Sequence, residues 1–270
     1  MEVRSILAHV GLGSSHAALN CAIWLAEAYG AEIIGLAAAE PIMAISAVDG
    51  AQVALDYYDM ERKNIETMLR RAEEYFRATV PTSIPAKWRS CVANPTEMLI
   101  DQARRCDVVV ASTGDMTGSD DRLDAGHLIL ASGKPVILVG KESRAFNLGR
   151  VGIAWKDTRE ARRALTDALP LLQRAQHVKV VTRSEGNPGA EMGSLGDIVE
   201  WLGRHSVPAE SELVEHGAEL LDALGLTAAT SSPDLIVAGG YGHSRFREWM
   251  FGGVTNDLLE AQDVTRLFSN

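Results

Sequence analysis

The fold is decided by the stretch Gly239-Gly-Tyr-Gly-His-Ser-Arg-Phe-Arg-Glu-Trp-Met-Phe-Gly-Gly-Val-Thr255, which directly follows the apolar run Leu235–Ala238. The apolar run predicts a buried β-strand, and the residues from Trp249 to Ala261 predict a helix. Gly239 and Gly242 allow the chain to turn sharply between them and to approach a ligand closely. A strand, a glycine turn and a helix in this order are typical of an α/β protein that binds a ligand at the carboxyl ends of its strands.

The same stretch carries groups that can bind phosphate. Gly252 and Gly253 can point backbone N–H groups at an anion, and the helix contributes the positive end of its dipole. Side chains that can donate further hydrogen bonds to phosphate are Ser244, Thr255, Arg245 and His243. For His243, simple solvent exposure is an equal alternative. A turn that only connects strand to helix would not need two separated glycine pairs and these hydroxyls, so the pattern favours a phosphate-binding loop.

Strand and helix patterns alternate over the rest of the chain. Strands are predicted at Ile6–Val10, Glu32–Ala39, Trp88–Val92, Val108–Ser112, Val136–Val139, Arg150–Trp155, Val178–Thr182, Glu210–Val214, Leu235–Ala238 and Val264–Phe268. Helices are predicted at Ala17–Tyr29, Ala54–Thr79, Pro95–Arg104, Ala125–Ser132, Arg159–Ala175, Leu195–Leu202, Ala218–Thr227 and Trp249–Ala261. The alternation indicates parallel strands joined by helical crossovers, with helices on both faces of the sheet.

The pattern of strands and helices occurs twice. Asp107-Val-Val-Val-Ala-Ser in the first half matches Asp234-Leu-Ile-Val-Ala-Gly in the second, each at the fourth strand of its half. Such internal repetition indicates a duplicated unit. We therefore predict one domain over residues 1–143 and another over residues 149–270, joined by the polar segment Gly140–Gly149.

The spacing of Gly239, Gly242 and Gly252 resembles the ATP-binding signature of the universal stress protein family, and the Gly-His-Ser-Arg and Gly-Gly-Val-Thr segments resemble its tandem members. Gly253 stands where ATP binders of the family often have Ser. The resemblance covers nearly the whole chain. It implies an adenine nucleotide alpha hydrolase-like α/β fold, with a five-stranded parallel sheet of order 3-2-1-4-5 in each half and helices on both faces.

In this family the fifth strands of two domains meet across a two-fold axis. The resemblance therefore implies that Val136–Val139 and Val264–Phe268 pair within the chain and form an internal pseudo-dimer of the two halves, which would cover two sheet edges. Val264–Phe268 is short and carries polar residues, so we expect it to be a weak edge.

The resemblance implies that the second half binds ATP or a related adenine nucleotide, with or without Mg²⁺. The adenine and ribose would lie at the end of its first strand, Ala154-Trp155-Lys156-Asp157, with Thr182 as the opposite wall. Binders of the family usually place Asp directly after this strand, whereas here Lys156 takes that position and Asp157 follows. Trp155 is either a cover for the base or a core residue. The predicted nucleotide-binding residues are Ala154, Trp155, Asp157, Thr182, Gly239, Gly242, His243, Ser244, Arg245, Gly252, Gly253, Val254 and Thr255.

The corresponding loop of the first half is acidic. It contains Ala111-Ser-Thr-Gly-Asp-Met-Thr-Gly-Ser-Asp-Asp-Arg122, and its carboxylates would repel a triphosphate. We predict a degenerate first domain with a structural role. No residue constellation supplies a base that would activate water, so any ATP hydrolysis should be slow.

Composition excludes several other classes of protein. The formal net charge of −10 argues against binding to nucleic acid or to anionic membranes. No run of 18 apolar residues predicts a membrane span, and no signal-peptide pattern is present at the start of the sequence. Three cysteines without metal-ligand spacing predict reduced packing residues, which are typical of a cytoplasmic protein.

Two other functions are compatible with the sequence. The chain would be a nucleotide-independent interaction or scaffold protein if Gly253 and Lys156, which depart from the family pattern, prevent nucleotide binding. An NAD(P)- or flavin-dependent oxidoreductase would follow if Gly11-Leu-Gly13-Ser-Ser-His16 were a dinucleotide fingerprint with Glu40 on the ribose, but His16 replaces the third glycine. The apolar stretch Pro41–Val48 predicts either a homodimer contact, a ligand lid or packing under the long helix.

Overall fold

The computed structural model of the chain describes residues 2–13, 16–41, 51–113, 122–140, 146–215, 220–225, 233–240, 258–259 and 263–270. The first half contains β1 (Ser5–His9), α1 (Ala17–Tyr29), β2 (Glu32–Ala39), α2 (Ala51–Thr79), β3 (Ala86–Val92), α3 (Pro95–Ala103), β4 (Val108–Thr113), α4 (Ala125–Ala131) and β5 (Val136–Gly140). The second contains β6 (Arg150–Ala154), α5 (Arg159–Leu172), β7 (His177–Arg183), α6 (Pro188–Arg204), β8 (Ala209–Val214), α7 (Leu220–Ala223), β9 (Leu235–Gly239) and β10 (Thr265–Ser269).

These strands form one ten-stranded sheet of order β3-β2-β1-β4-β5-β10-β9-β6-β7-β8. Each half therefore has the order 3-2-1-4-5, and neighbouring strands within a half are parallel. The two halves join where β5 and β10 pair antiparallel, with Leu138 opposite Arg266 and Val136 opposite Phe268. The predicted fold class and the predicted pairing of the fifth strands are both confirmed.

Helices begin and end where the sequence supplies a cap. Gly30 ends α1 with φ 66°, and its N–H donates to the carbonyl of Ala26, because glycine adopts this left-handed conformation without a steric cost. In the described part of the chain, four helices begin with a side chain that accepts a hydrogen bond from a backbone N–H of the first turn. The capping residues are Asn94, Asp124, Thr158 and Asn187.

The sheet is covered by two layers of helices. The first layer consists of α1, α2, α5 and α6, whose apolar residues form one continuous core with one face of the sheet. The second layer consists of α3, α4, α7 and the helical residues 258–259 on the other face. Along each strand, successive side chains point alternately to the first and to the second layer, as is expected of a parallel sheet that is buried on both sides.

Strand β10 is not the weak edge that its short polar sequence predicts. All five of its residues are buried, because β5 and β9 pair with it on both sides. Arg266 is 0 % exposed, and its guanidinium donates to the carbonyls of Val264 at 2.6 Å and Leu259 at 3.3 Å. Burial lowers the pKa of Arg266 to about 10.

The sequence predicts reduced packing residues, and in the structure Cys21, Cys91 and Cys106 are free thiols, of which Cys91 is half-buried. Cys21 and Cys106 are buried, and burial raises the pKa of Cys106 to about 11. Low nucleophilicity follows, because the thiolate is the reactive form. None of the described helices is long and apolar enough to cross a membrane.

The repeated aspartate of the two halves has the same role in each. Asp107 accepts hydrogen bonds at Oδ2 from the backbone N–H groups of Arg4 and Ser5, both at 2.9 Å. Asp234 accepts one at Oδ2 from the N–H of Arg150 at 2.8 Å. Each aspartate therefore fixes the start of the first strand of its half to the start of the fourth strand, which explains why the duplicated sequences share it.

Replacing Asp107 with alanine should lower the free energy of unfolding by about 1.5–3 kcal/mol, because hydrogen bonds to a charged acceptor are lost and strand N–H groups are left without a partner. Urea denaturation of the full chain would measure this change. Asp197→Ala is the matched control, since Asp197 is exposed on α6 and a surface exchange should alter stability by no more than about 0.5 kcal/mol. Equal stability of both variants would contradict the role assigned to Asp107.

Candidate functional site

The candidate site of the second half lies at the carboxyl ends of β6 and β9. These strands are neighbours, and Ala154 of β6 pairs in register with Ala238 of β9. From β6 the chain continues to β7 on one side, whereas β9 lies on the other side. The strand order therefore reverses between β6 and β9, and ligands of open α/β sheets bind outside the carboxyl ends of strands at such a switch point.

Gly239, the first glycine of the predicted loop, is in close contact with the start of α5. A Cβ atom at this position would lie 2.6 Å from the backbone nitrogen of Ala161 and 2.8 Å from the carbonyl carbon of Glu160. Only glycine allows β9 to end so close to this helix. The chain enters the loop at the amino-terminal end of α5, where Thr158 accepts a hydrogen bond from the N–H of Ala161 at 3.2 Å.

Gly240 fixes the chain as it leaves the sheet. Its N–H donates to the carbonyl of Ser269 at 2.8 Å, and its carbonyl accepts from the side-chain amide of Asn270 at 2.9 Å. A Cβ atom at Gly240 would lie 2.5 Å from a methyl group of Ile129 in α4. The entry to the loop is thus held by residues of both halves.

Trp155 is a core residue. Its side chain is 4 % exposed, it packs in the first-layer core, and its indole N–H donates to Ser194 of α6 at 3.0 Å. Its backbone N–H donates to the carbonyl of Val181. Of the two interpretations of this residue, a cover for the base or part of the core, the structure supports the second.

Thr182, predicted as the opposite wall, is 6 % exposed and donates its hydroxyl to the carbonyl of Trp155 at 2.6 Å. It therefore joins the ends of β6 and β7 and does not offer this hydroxyl to a ligand. Ala154 is half-buried at the end of β6. The local sequence gives no signal for the Trp155–Ser194 or the Thr182–Trp155 hydrogen bond, because the partners are 39 and 27 residues apart in the chain.

Among the described residues, two ion pairs lie at the exposed rim of the site, beside the ends of β6 and β7. Lys156 Nζ is 2.6 Å from Glu185 Oε1, so this pair spans the loops that follow β6 and β7. Asp157 Oδ1 is 3.2 Å from a guanidinium nitrogen of Arg162 in α5. More than half of each of these side chains is exposed. Asp157 was predicted in the site, whereas Glu185 and Arg162 were not, and no motif marks either of them.

The loop after β7 is ordered by an acidic side chain that sequence analysis also missed. The carboxylate of Glu191 accepts hydrogen bonds from the hydroxyl of Ser184 and the N–H of Glu185, both at 2.6 Å. The Ser184 hydroxyl and the Glu185 N–H lower the pKa of Glu191. These two hydrogen bonds fix the loop that carries Glu185 to the first turn of α6.

The remaining predicted binding residues lie outside the described residues. They are Gly242, His243, Ser244, Arg245, Gly252, Gly253, Val254 and Thr255. The same holds for residues 42–48 of the apolar stretch and residues 114–121 of the acidic loop.

The residues that resemble a dinucleotide fingerprint lie at the end of β1 and the start of α1. His16 stacks on Tyr75 of α2 with ring centroids 3.7 Å apart, and burial lowers its pKa. A Cβ atom at Gly13 would meet no protein atom within 4 Å. Glu40 accepts a hydrogen bond from the amide of Asn94 at 2.8 Å. His16 and Glu40 thus have partners within the protein.

Comparison with protein-family models and with curated proteins finds no match. Among solved structures, the chain is similar to a universal stress protein from Archaeoglobus fulgidus DSM 4304, with TM-score 0.67, 13% identity and coverage of 98% of this chain and 96% of that one. It is also similar to a putative universal stress protein from Pseudomonas aeruginosa UCBPP-PA14, with TM-score 0.63, 14% identity and coverage of 99% and 93%. A functionally unknown protein from Pseudomonas aeruginosa PAO1 has TM-score 0.63, 14% identity and coverage of 99% and 92%. The chain thus has the fold of these universal stress proteins over nearly its whole length.

Proposed function

We propose that this chain, which has the fold of universal stress proteins, is a tandem member of that family that binds ATP or a related adenine nucleotide through its second domain. The domains are residues 1–143 and 149–270, and the antiparallel pairing of β5 with β10 supports an internal pseudo-dimer. The protein is a cytoplasmic regulatory binder in the stress response. The three free thiols are consistent with that location.

The observation that carries this proposal is the position of Gly239. It ends β9 at the point where the strand order reverses, and it contacts the first turn of α5. A loop with the spacing Gly239, Gly242 and Gly252 begins there. Backbone N–H groups of such a loop bind phosphate without needing a net positive charge, which suits a chain of formal charge −10.

The chemistry of the site fits binding better than catalysis. Around the ends of β6 and β7 the polar side chains pair with one another, as Lys156 does with Glu185 and Asp157 with Arg162. The described residues contain no group of three metal-binding side chains. We expect Mg²⁺ to enter with the nucleotide, with phosphate oxygens and water as its ligands. Hydrolysis should be slow, because the carboxylates described beside the end of β6, Asp157 and Glu185, are each paired with a cation.

A nucleotide-independent interaction protein is the second candidate. It is favoured by the involvement of Trp155, Thr182 and Asp157 in contacts within the protein. If a nucleotide binds, its adenine and ribose would therefore have to contact the backbone and the predicted loop. The two candidates differ in one measurable property, the affinity for adenine nucleotide.

Isothermal titration calorimetry of the full chain with ATP, and with GTP for comparison, tests the proposal. We expect ATP to bind and Arg245→Ala to weaken it by about tenfold or more, because a charge-assisted hydrogen bond to phosphate contributes about 1.5–3 kcal/mol. Arg204→Ala, which changes an exposed arginine on α6, is the matched control and should bind normally. No heat and no thermal shift with ATP at millimolar concentration would favour the interaction protein.

A further inference from the structure

The two outer strands of the sheet carry charges of opposite sign. In the described part of the chain, β3 lies at one end of the sheet and β8 at the other. Lys87 and Arg89 are exposed on β3, which we call the basic edge. Glu210 is exposed and Glu212 half-exposed on β8, which we call the acidic edge. The strands contain no charged residue of the other sign.

The basic side chains lie on the sheet face that carries the second helix layer. Lys87 pairs in register with Ile34 and Arg89 with Leu36, and both partners belong to the second-layer core. Because register partners of parallel strands project to the same side of the sheet, Lys87 and Arg89 point to that side too.

The acidic side chains lie on the same face. Glu212 pairs in register with Val181, which also belongs to the second-layer core, and Glu210 pairs with Lys179, two residues earlier on that strand. Side chains two residues apart share a face of the sheet. The two edges thus present opposite charges on one side of the molecule.

Strand directions allow the two edges of neighbouring molecules to pair. Strands are parallel within each half, and the halves are antiparallel at β5 and β10, so β3 and β8 run in opposite directions. Two copies side by side in one plane would bring the basic edge of one copy antiparallel to the acidic edge of the other. The sheet would continue, and the helix layers would stay on their own sides.

One register matches every charge. When Lys87 lies opposite Glu212 in an antiparallel pair, Arg89 lies opposite Glu210. Within each molecule Lys87 is already 2.8 Å from Glu32 on β2, and Lys179 on β7 is 2.6 Å from Glu212. The contact would therefore create a row of alternating charges across four strands, β2 and β3 of one copy and β8 and β7 of the other. Opposite charges across strands are stabilising.

Two-fold pairing is disfavoured by the same residues. A β3–β3 contact would bring Lys87 and Arg89 close to their own copies, and a β8–β8 contact would do the same for the glutamates. Like charges opposite each other destabilise a strand pair. Charged edges often prevent any pairing, but here the separation of the signs leaves one combination attractive.

We propose that the basic edge binds the acidic edge of a second copy of this chain, head to tail. Such a contact does not close by two-fold symmetry, so it produces rings or open chains of molecules. It involves a single short strand from each copy, and small interfaces of this kind are weak and transient. This inference does not depend on nucleotide binding.

Sedimentation velocity and light scattering of the full chain test the proposal. The mass-average mass should rise above the 29.1 kDa monomer with concentration, between about 10 μM and about 1 mM for a small interface. Lys87→Glu/Arg89→Glu and Glu210→Lys/Glu212→Lys should each remain monomeric. An equimolar mixture of these two variants should associate again, because one then has two acidic edges and the other two basic edges.

The matched control is Lys63→Glu/Arg70→Glu on the exposed side of α2, which changes the net charge by the same amount as the basic-edge variant. It should associate like the unmodified chain. Circular dichroism shows whether each variant is folded; where a charge reversal does not fold, Arg89→Ala and Glu210→Ala replace it and should weaken association at least severalfold. A monomer at all concentrations, association unaffected by the edge variants, or a mixture that stays monomeric would overturn the proposal.

Discussion

Replacing Gly239 with alanine is expected to lower the free energy of unfolding by about 2–4 kcal/mol, a large effect for the addition of one methyl group. The new Cβ would lie 2.6 Å from the backbone nitrogen of Ala161 and 3.0 Å from its Cα. These are main-chain atoms of the first turn of α5, so no side-chain rotation can relieve the overlap. Relief requires α5 or the end of β9 to move.

Both elements are held in place. The first turn of α5 is fixed by the cap from Thr158, and its apolar face is buried against the sheet. The end of β9 pairs with β10, where Gly239 lies in register with Ser269. A shift would therefore disturb the core at the junction of the two halves, and this is why we expect a cost at the upper end of the range for overpacking.

Gly193→Ala provides a control of opposite sign. Gly193 lies in the exposed part of α6, and a Cβ atom there would meet no atom within 4 Å. Since alanine is a better helix former than glycine, this variant should gain about 0.5–1 kcal/mol. Urea denaturation of both variants measures the difference. A Gly239→Ala protein as stable as the unmodified chain would show that β9 and α5 are not in the close contact described.

The sequence was sufficient for elements whose cause is local. The apolar β-branched runs predicted Glu32–Ala39 as a strand, and the helical spacing before Gly30 predicted Ala17–Tyr29 as a helix; both have these bounds in the structure. The ends of helices are predicted less well where no capping residue marks them in the sequence. For example, α5 ends at Leu172, whereas the apolar spacing predicted Ala175.

The sequence was insufficient where a distant partner decides the environment. Val264–Phe268 has the polar composition of an edge strand, yet β10 is the buried seam of the sheet because β5, more than a hundred residues earlier, pairs with it. Trp155 turns into the core because Ser194 on α6 accepts its indole hydrogen bond. In both cases the deciding residue belongs to another element, which no local pattern reveals.

The phosphate-binding loop was predicted from glycine spacing, and its entry has a physical reason in the structure. Gly239 is required by the contact with α5, so this glycine has a structural role whether or not a nucleotide binds. It follows that the glycines further along the loop are the better test of nucleotide binding. Gly252 is the most informative of these, because the resemblance to ATP-binding proteins rests on its distance from Gly242.

Replacing Gly252 with aspartate is expected to abolish detectable ATP binding, with at least about a hundredfold loss of affinity, or about 2.7 kcal/mol. We predict that the backbone at this position approaches the phosphates of the nucleotide. An aspartate would bring a carboxylate to that place, where its negative charge repels the phosphate oxygens and its side chain prevents the close approach. Isothermal titration calorimetry with ATP measures the loss.

The control must carry the same exchange at a place where neither charge nor bulk matters for the site. Gly196→Asp meets this condition, because Gly196 is exposed on α6 and a Cβ there would contact nothing within 4 Å. It should bind ATP with unchanged affinity, and both variants should retain the circular dichroism spectrum of the unmodified chain. If the folded Gly252→Asp protein bound ATP normally, the nucleotide would have to lie elsewhere than on the predicted loop. If Gly196→Asp also lost binding, the effect would come from net charge, and the loop would have no special part in recognising phosphate.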